Sequence, residues 1–409
     1  MSGETDLLAF LDEREDELIE FTRELIATPS VNPPGDERAV VELTARKLRE
    51  LGVADIEILA DDDSRPNLFA SISGSEAGPS LILCSHLDTK PPGELEPWRF
   101  DPWDPVIEDG ELYGLGSGDM KASAAAMIYA GAALQHVGFP LGKVMLALVA
   151  DEEAGSTYGA KWLANAGHLK ADAVLIGEPC GVTKPWEAIN LVSRGAALFK
   201  IKVFGTQMHS SISDRLPSVN ATVHAARLID LMHGHLKGAL TYDPHPLCKE
   251  GPTVNIGVTA SAGVFYGVYP GDAEFGCDIR TIPGMTRSQL IADIQAFLAK
   301  AMAEEPELRA ELHFEDIYYE PTEIKPDAPI AKAVQAAAET VLGESPPFEA
   351  FPGATDAAHT QGAAGIPTVA SFGPGFLPRA HGPNESVPVD DIGLGAKMFA
   401  LAALRFVAG

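Results

Sequence analysis

The stretch LILCSHLDTKPP, residues 81–92, constrains the fold more than any other part of the chain. Leu81 to Cys84 offer no polar face, so a strand built from them must be covered on both sides. Two further runs of this kind follow, Val144 to Ala150 and Ala173 to Ile176, separated by helical stretches such as KASAAAMIYAGAALQHVG. Apolar strands alternating with helices predict an α/β fold, a mostly parallel sheet flanked by helices. Helices also precede the first run. Leu7, Phe10, Leu11, Leu18, Phe21, Leu25 and Ile26 recur at helical spacing and must stop before Pro29, and ERAVVELTARKLRELG is closed by Gly52.

The rhythm changes near residue 190. GAALFKIKVFG reads as a strand, PSVNATVHAARLIDLMHG as a helix, TVNIGV and DAEFGCDIR as strands, RSQLIADIQAFLAKAM as a helix and LHFEDIYY as a strand. This β-α-β-β-α-β order is the ferredoxin-like arrangement of a separate α+β domain. After Pro321 the α/β pattern returns with APIAKAVQAAAETVLG, the strand PTVASFG and a final helix. The expected organisation is therefore a discontinuous large domain, residues 1–189 and 321–409, with a small domain, residues 190–320, inserted in it. A chain of 409 residues is too long for one ordinary compact domain, which agrees with two.

Charge excludes several functions. With 58 acidic against 30 basic residues the net charge is -28, which repels phosphate backbones and anionic lipid surfaces, and no Lys/Arg run offsets it. The N-terminus is acidic where a secretory signal is basic, and no apolar stretch approaches the roughly 20 residues of a membrane helix. Cys84, Cys180, Cys248 and Cys277 lack C-x-x-C spacing, so neither a disulfide framework nor a cysteine zinc cage is expected. A soluble cytoplasmic protein, binding neither nucleic acid nor membrane, is the expectation.

In an open α/β sheet, ligands collect outside the carboxyl ends of the strands. Here those ends carry metal-type side chains: His86 and Asp88 after the first run, Asp151, Glu152 and Glu153 after the second, Glu178 after the third, and His381 in a late loop. GLGSGDMK adds Asp119 just ahead of a helix. Each has a plainer explanation. A single His after a strand is commonly hydrogen-bonded core or surface, DEEAG suits any helix N-terminus, GEP is a turn, and Asp119 is a possible helix cap. The glycines of GLGSG suggest a phosphate loop, but the G-x-G-x-x-G spacing is broken. Coincidence favours function, because separate segments deliver carboxylates and imidazoles to one sheet edge, where carboxylates repel unless cations lie between them. Two His and three carboxylates suit a pair of divalent ions such as zinc, with Asp119 as the natural bridge.

Taken in order, HLDT, GLGSGDMK, DEEAG, GEP, GTQMHSS, DIRTIPG and the late FGPG and AHGPNE segments resemble the M20-type family of dinuclear zinc metallohydrolases. That family includes acetylornithine deacetylase, succinyl-diaminopimelate desuccinylase, aminoacylase and glutamate-releasing carboxypeptidase. The resemblance spans nearly the whole chain and implies that His86, Asp119 and Glu178 hold one Zn2+ and Asp119, Glu153 and His381 the other, with Co2+ or Mn2+ as substitutes. It implies that Asp88 orients His86, that Glu152 is the general base and then acid, and that His209 of GTQMHSS stabilises the oxyanion, reaching the neighbouring subunit's site in dimeric members. It also implies a homodimer through the inserted lid domain. Arg280 and Arg194 fall in similar contexts and suit recognition of a substrate carboxylate, or an ordinary structural ion pair. VFYGVYPGD and GATDAAHTQG depart from many relatives where substrate is bound; His359 in the second could contact substrate, though a structural or surface role is the first expectation.

The expected activity is a metal-dependent deacylation of an N-acyl amino acid. A dipeptidase or carboxypeptidase with the same site is the nearest rival. A non-catalytic metal- or ligand-binding relative and a nucleotide-binding protein using GLGSG stand further off.

Overall fold

The computed structural model describes residues 2–408. By its contacts the chain divides into two units, one of Met1–Ser193, Glu323–Phe351 and Thr355–Gly409, the other of Arg194–Thr322 with Pro352–Ala354.

In the first unit six strands form one sheet in the order Ile56–Leu59, Asn67–Ser73, Leu141–Val149, Glu76–His86, Ala173–Ile176, Thr368–Val369. The last four are mutually parallel, and Asn67–Ser73 runs antiparallel to both its neighbours, Ile56–Leu59 and Leu141–Val149. The sheet is thus mixed, and chain length explains why. A parallel crossover needs a dozen or more residues, whereas only Gly74 and Ser75 join Asn67–Ser73 to Glu76–His86. That link crosses under Leu141–Val149, so the two strands flank it in opposite directions.

Leu81 to His86 are buried on both faces. Ile82 and Cys84 pack on one side with Val149, Leu163, Val174 and Ile176. The helices Ala122–Val137 and Val389–Ala408 also pack against this strand. Ala122 to Leu134 are buried all round, which a helix tolerates only when neighbours enclose it, and its small side chains permit the close approach: a Cβ on Gly131 would meet Leu146 Cδ1 at 3.1 Å. The helical spacing that runs from Leu7 to Ile26 is divided between two helices, Ser2–Asp12 and Glu15–Ile26. Ile189–Ser193 pairs in parallel with Phe348–Phe351, which keeps residues 190–193 in the first unit and starts the second at Arg194.

The second unit is a four-stranded antiparallel sheet, ordered Thr253–Ala262, Asp272–Thr281, Gly195–Phe204, Ala310–Tyr319, with the helices Ala221–His235 and Arg287–Glu304. Ala197, Phe199, Ile201 and Val203 alternate into its core, the period-two pattern of a half-covered sheet. Both helices start on side-chain caps: Asn220 accepts from the Val223 amide at 3.1 Å and Thr286 from Gln289 at 3.3 Å. No described helix is long and apolar enough to cross a membrane, and Cys84, Cys180, Cys248 and Cys277 are all buried.

Register sets the site. His86 lies opposite Val149 and Cys84 opposite Ile176, so the residues just beyond these strands, Asp88, Asp151 to Glu153 and Glu178, emerge at one sheet edge. Gly159 secures the turn after DEEAG, because a Cβ there would lie 1.8 Å from the Ala150 carbonyl oxygen. Gly159→Ala is expected to cost about 1–3 kcal/mol through this overlap, read as a lowered denaturation midpoint; an unchanged midpoint would contradict the packing described.

Candidate metal centre

His86 ends its strand fully buried, with Nδ1 3.0 Å from the backbone carbonyl of Asp88 and Nε2 3.0 Å from Asp119 Oδ1. The other oxygen of Asp119, Oδ2, lies 3.1 Å from His381 Nε2, which is itself 3.1 Å from Glu153 Oε2. One carboxylate therefore faces two imidazoles. Glu178 Oε1 stands 3.8 Å from His86 Nε2. Donor atoms of His86, Asp119 and Glu153, and likewise of His86, Glu152 and Glu178, lie within 4.8 Å of one another. Asp119 precedes the helix Ala122–Val137 in an irregular turn, and its carboxylate is directed at the histidines.

The glycines of GLGSG allow close packing. Gly116 takes φ +79°, and a Cβ there would lie 2.5 Å from Thr89 Cγ2. Asp151 and His381 also take positive φ, 66° and 60°, the left-handed region that few residues other than glycine enter and that clusters at functional sites.

Electrostatics show what the cluster lacks. Burial, reinforced by the charge of Asp119, pushes the Glu178 carboxyl well above the ordinary range. Burial does the same to Glu152; the attraction of His86 opposes it, while Asp356, Glu153 and Asp119 add to it. Hydrogen bonds to Asp119 and Glu153 raise His381 to about 10. Burial disfavours the charged form of His86, but Asp119 and Asp88 outweigh it and raise its proton affinity. The group thus gathers protons, as crowded carboxylates do when positive charge is short. Glu153 Oε1 is moreover buried without a hydrogen-bond partner among the described residues. Imidazole nitrogen and carboxylate oxygen are the donor set of borderline divalent ions, so these residues fit such ions.

Asp88 does more than stand beside His86. Its carboxylate is 3.4 Å from His86 Nδ1, farther than its own carbonyl oxygen. It accepts instead from the amides of Glu152 at 3.2 Å and Glu153 at 3.1 Å, and from the Asn32 side chain at 2.8 Å. Asn32 also donates to Asp151 at 2.9 Å, Asp151 accepts from Arg65 at 2.8 Å, and Arg65 grips Glu37 through two bonds. Asp88, Asn32, Asp151, Arg65 and Glu37 are all buried. Asn32, Glu37 and Arg65 escape sequence reasoning, because nothing local announces that segments so far apart meet.

Glu385 lies in the AHGPNE segment, and only its place four residues after His381 hinted at a role. It accepts from the amides of Gly118 at 2.9 Å and Asp119 at 3.0 Å, tying the loop of one histidine to the bridging aspartate. Burial, together with the charge of Asp119, raises its carboxyl to about 8. Asp356 of GATDAAHTQG accepts from Ser156 Oγ at 2.6 Å, beside the Glu152 loop, and His359 is buried on the short helix Ala357–Thr360.

The other predicted residues belong to the second unit. His209 Nδ1 accepts from the Ser211 amide at 3.2 Å, Arg280 pairs with Asp278 at 2.9 Å, and Arg194 donates to Thr253 Oγ1 at 2.8 Å.

Against known proteins, the chain matches the peptidase family M20/M25/M40 over residues 82–405. It is 29% identical over 393 residues to the succinyl-diaminopimelate desuccinylase of Methylocella silvestris, covering 93% of this chain and 96% of that protein. It is 31% identical over 396 residues to the acetylornithine deacetylase of Proteus mirabilis, covering 90% and 91%. The solved structure of human carnosine dipeptidase 1 has the same fold, with a TM-score of 0.75 at 19% identity over 99% of each chain.

Asn32→Ala removes the link between Asp88 and Asp151. Partners of this kind typically contribute about 10- to 100-fold to metal affinity, and calorimetric titration with zinc or cobalt should show a loss of that size. Unaltered affinity would assign Asn32 to packing alone.

Proposed function

Because the chain belongs to peptidase family M20/M25/M40 and is a metal-dependent hydrolase of amides, we propose that it removes the acyl group from an N-acyl amino acid. His86, Asp119 and Glu178 hold one divalent ion in this reading, and Asp119, Glu153 and His381 the other, with zinc the first choice and cobalt or manganese as substitutes. The observation that carries it is the Asp119 carboxylate, one oxygen 3.0 Å from His86 and the other 3.1 Å from His381.

The chemistry such ions supply when bound is activation of a water, whose pKa falls toward about 7 in the best zinc sites, and polarisation of the scissile carbonyl. Glu152 is the general base. Its backbone is fixed by Asp88, and its half-buried carboxyl has a raised proton affinity, so it can take a proton from water and return it to the departing amine. Asp88 serves by holding Glu152 and Glu153 in place beside His86.

His209 is the oxyanion donor. With Nδ1 accepting from the Ser211 amide, the neutral ring carries its proton on Nε2, the nitrogen left to donate. In this reading it acts on the site of a second copy, and two copies pair through the second unit, where Val258, Val264, Phe265 and Tyr266 are exposed. Arg194 and Arg280 bind the substrate carboxylate, and the enzyme works in the cytoplasm. The relatives named for desuccinylation and deacetylation favour deacylation over dipeptide cleavage, since the dipeptidase neighbour shares only the fold.

The deciding experiment loads the protein with zinc, cobalt or manganese and follows amine release from N-acetyl, N-succinyl and longer N-acyl amino acids beside dipeptides. Release from one N-acyl class, abolished by a chelator, is expected; cleavage of dipeptides alone would select the rival. Glu152→Gln should lower turnover by about 100- to 10,000-fold while metal still binds, and near-normal turnover would remove Glu152 from its role. His209→Ala should lower it by about 100- to 1,000-fold.

A further inference from the structure

Lys90, two residues beyond Asp88, has no place in the mechanism above, yet it reaches into the metal centre. Its ammonium lies 3.2 Å from Glu153 Oε2, the same oxygen that faces His381, and it also donates to the backbone carbonyl of Glu153. The Glu153 side chain is 3% exposed and that of Lys90 34%. The cation therefore sits at the rim with its tip on a buried carboxylate. The other half of the centre has no such neighbour: among the described residues the ion-pair contacts of Asp119 and Glu178 are with His86 and His381.

We propose that Lys90 is a resident counter-cation of the Asp119–Glu153–His381 position, weakening the binding of a divalent ion there while leaving the His86–Asp119–Glu178 position untouched. An ammonium has three donors and no acceptor, so it cannot join a coordination shell. It can only compete for Glu153 Oε2 and repel a second cation at close range, where charge interactions under low dielectric are large. Its half-exposed stem lets the tip swing into water, so the position stays usable but is occupied second. Lys90 thus sets how many ions the centre carries at a given metal supply. The inference rests on the two-ion reading of the site.

The test compares metal-free wild type, Lys90→Met and Lys90→Arg, titrated with Co2+ and followed by calorimetry and by the visible absorption of bound cobalt. Lys90→Met keeps the length and removes the charge; it should tighten the weaker binding step by about tenfold or more and leave the tighter one as it was. Lys90→Arg keeps the charge and should resemble wild type. Two ions bound by every form with the weaker step unchanged in Lys90→Met would overturn the role of Lys90 and leave the two-ion reading standing. Equal tightening in Lys90→Arg would also overturn it, because charge would not be the cause. Only one ion bound by every form, including Lys90→Met, would instead remove the two-ion reading, and the proposal with it.

Discussion

Like charges crowded at one sheet edge govern the architecture around them. Asp88, Glu153 and Glu178 are buried within a few residues of the parallel strand ends, Asp119 is buried in the turn before Ala122–Val137, and Glu152 is half-buried beside them. Carboxylates so placed repel one another in a medium that screens poorly, and they tolerate the arrangement only with positive charge among them. His86 and His381 meet part of that need by standing on either side of Asp119. The rest is met by protons on the raised carboxyls or by bound cations, which is why an acidic cluster of this kind reads as a metal centre and not as an accident of an acidic chain.

Holding those charges in place falls to a second set of residues. Asp88 gathers the amides of Glu152 and Glu153, Asn32 bridges Asp88 to Asp151, and Arg65 neutralises Asp151 and Glu37 together. Removing one member of such a buried ionic set typically costs about 3–5 kcal/mol, because the partner's charge is left unpaired. Glu385 does similar work on the opposite flank, where its carboxylate takes the amides of Gly118 and Asp119. The loops that carry Glu152, Glu153 and Asp119 are therefore fixed largely through backbone amides.

The family resemblance names Asp88 for its place beside His86, and its other contacts are visible only in the folded chain. The carbonyl of Asp88 is the nearer partner of the imidazole, and its carboxylate is committed to the DEEAG loop and Asn32. The mostly parallel sheet holds one reversed strand for an equally local reason. Two linking residues between Asn67–Ser73 and Glu76–His86 leave no length for a helical crossover, so Asn67–Ser73 runs opposite to its neighbours.

Much was written in the linear order of residues. Continuous apolar runs such as Leu81 to Cys84 demand a doubly covered strand, the period-two alternation after Gly195 demands a half-covered one, and side chains two apart, as in His86 and Asp88, announce that a strand end carries chemistry. These are periodic or adjacent signals, and a short window contains them. The meeting of Asn32 with Asp88 and Asp151, of Lys90 with Glu153, and of Glu385 with the Asp119 amide has no such window. Those contacts are made across 56 to 266 residues by sheet register and loop conformation. Only the folded chain decides them, because a hydrogen bond or ion pair depends on distances that local sequence does not encode.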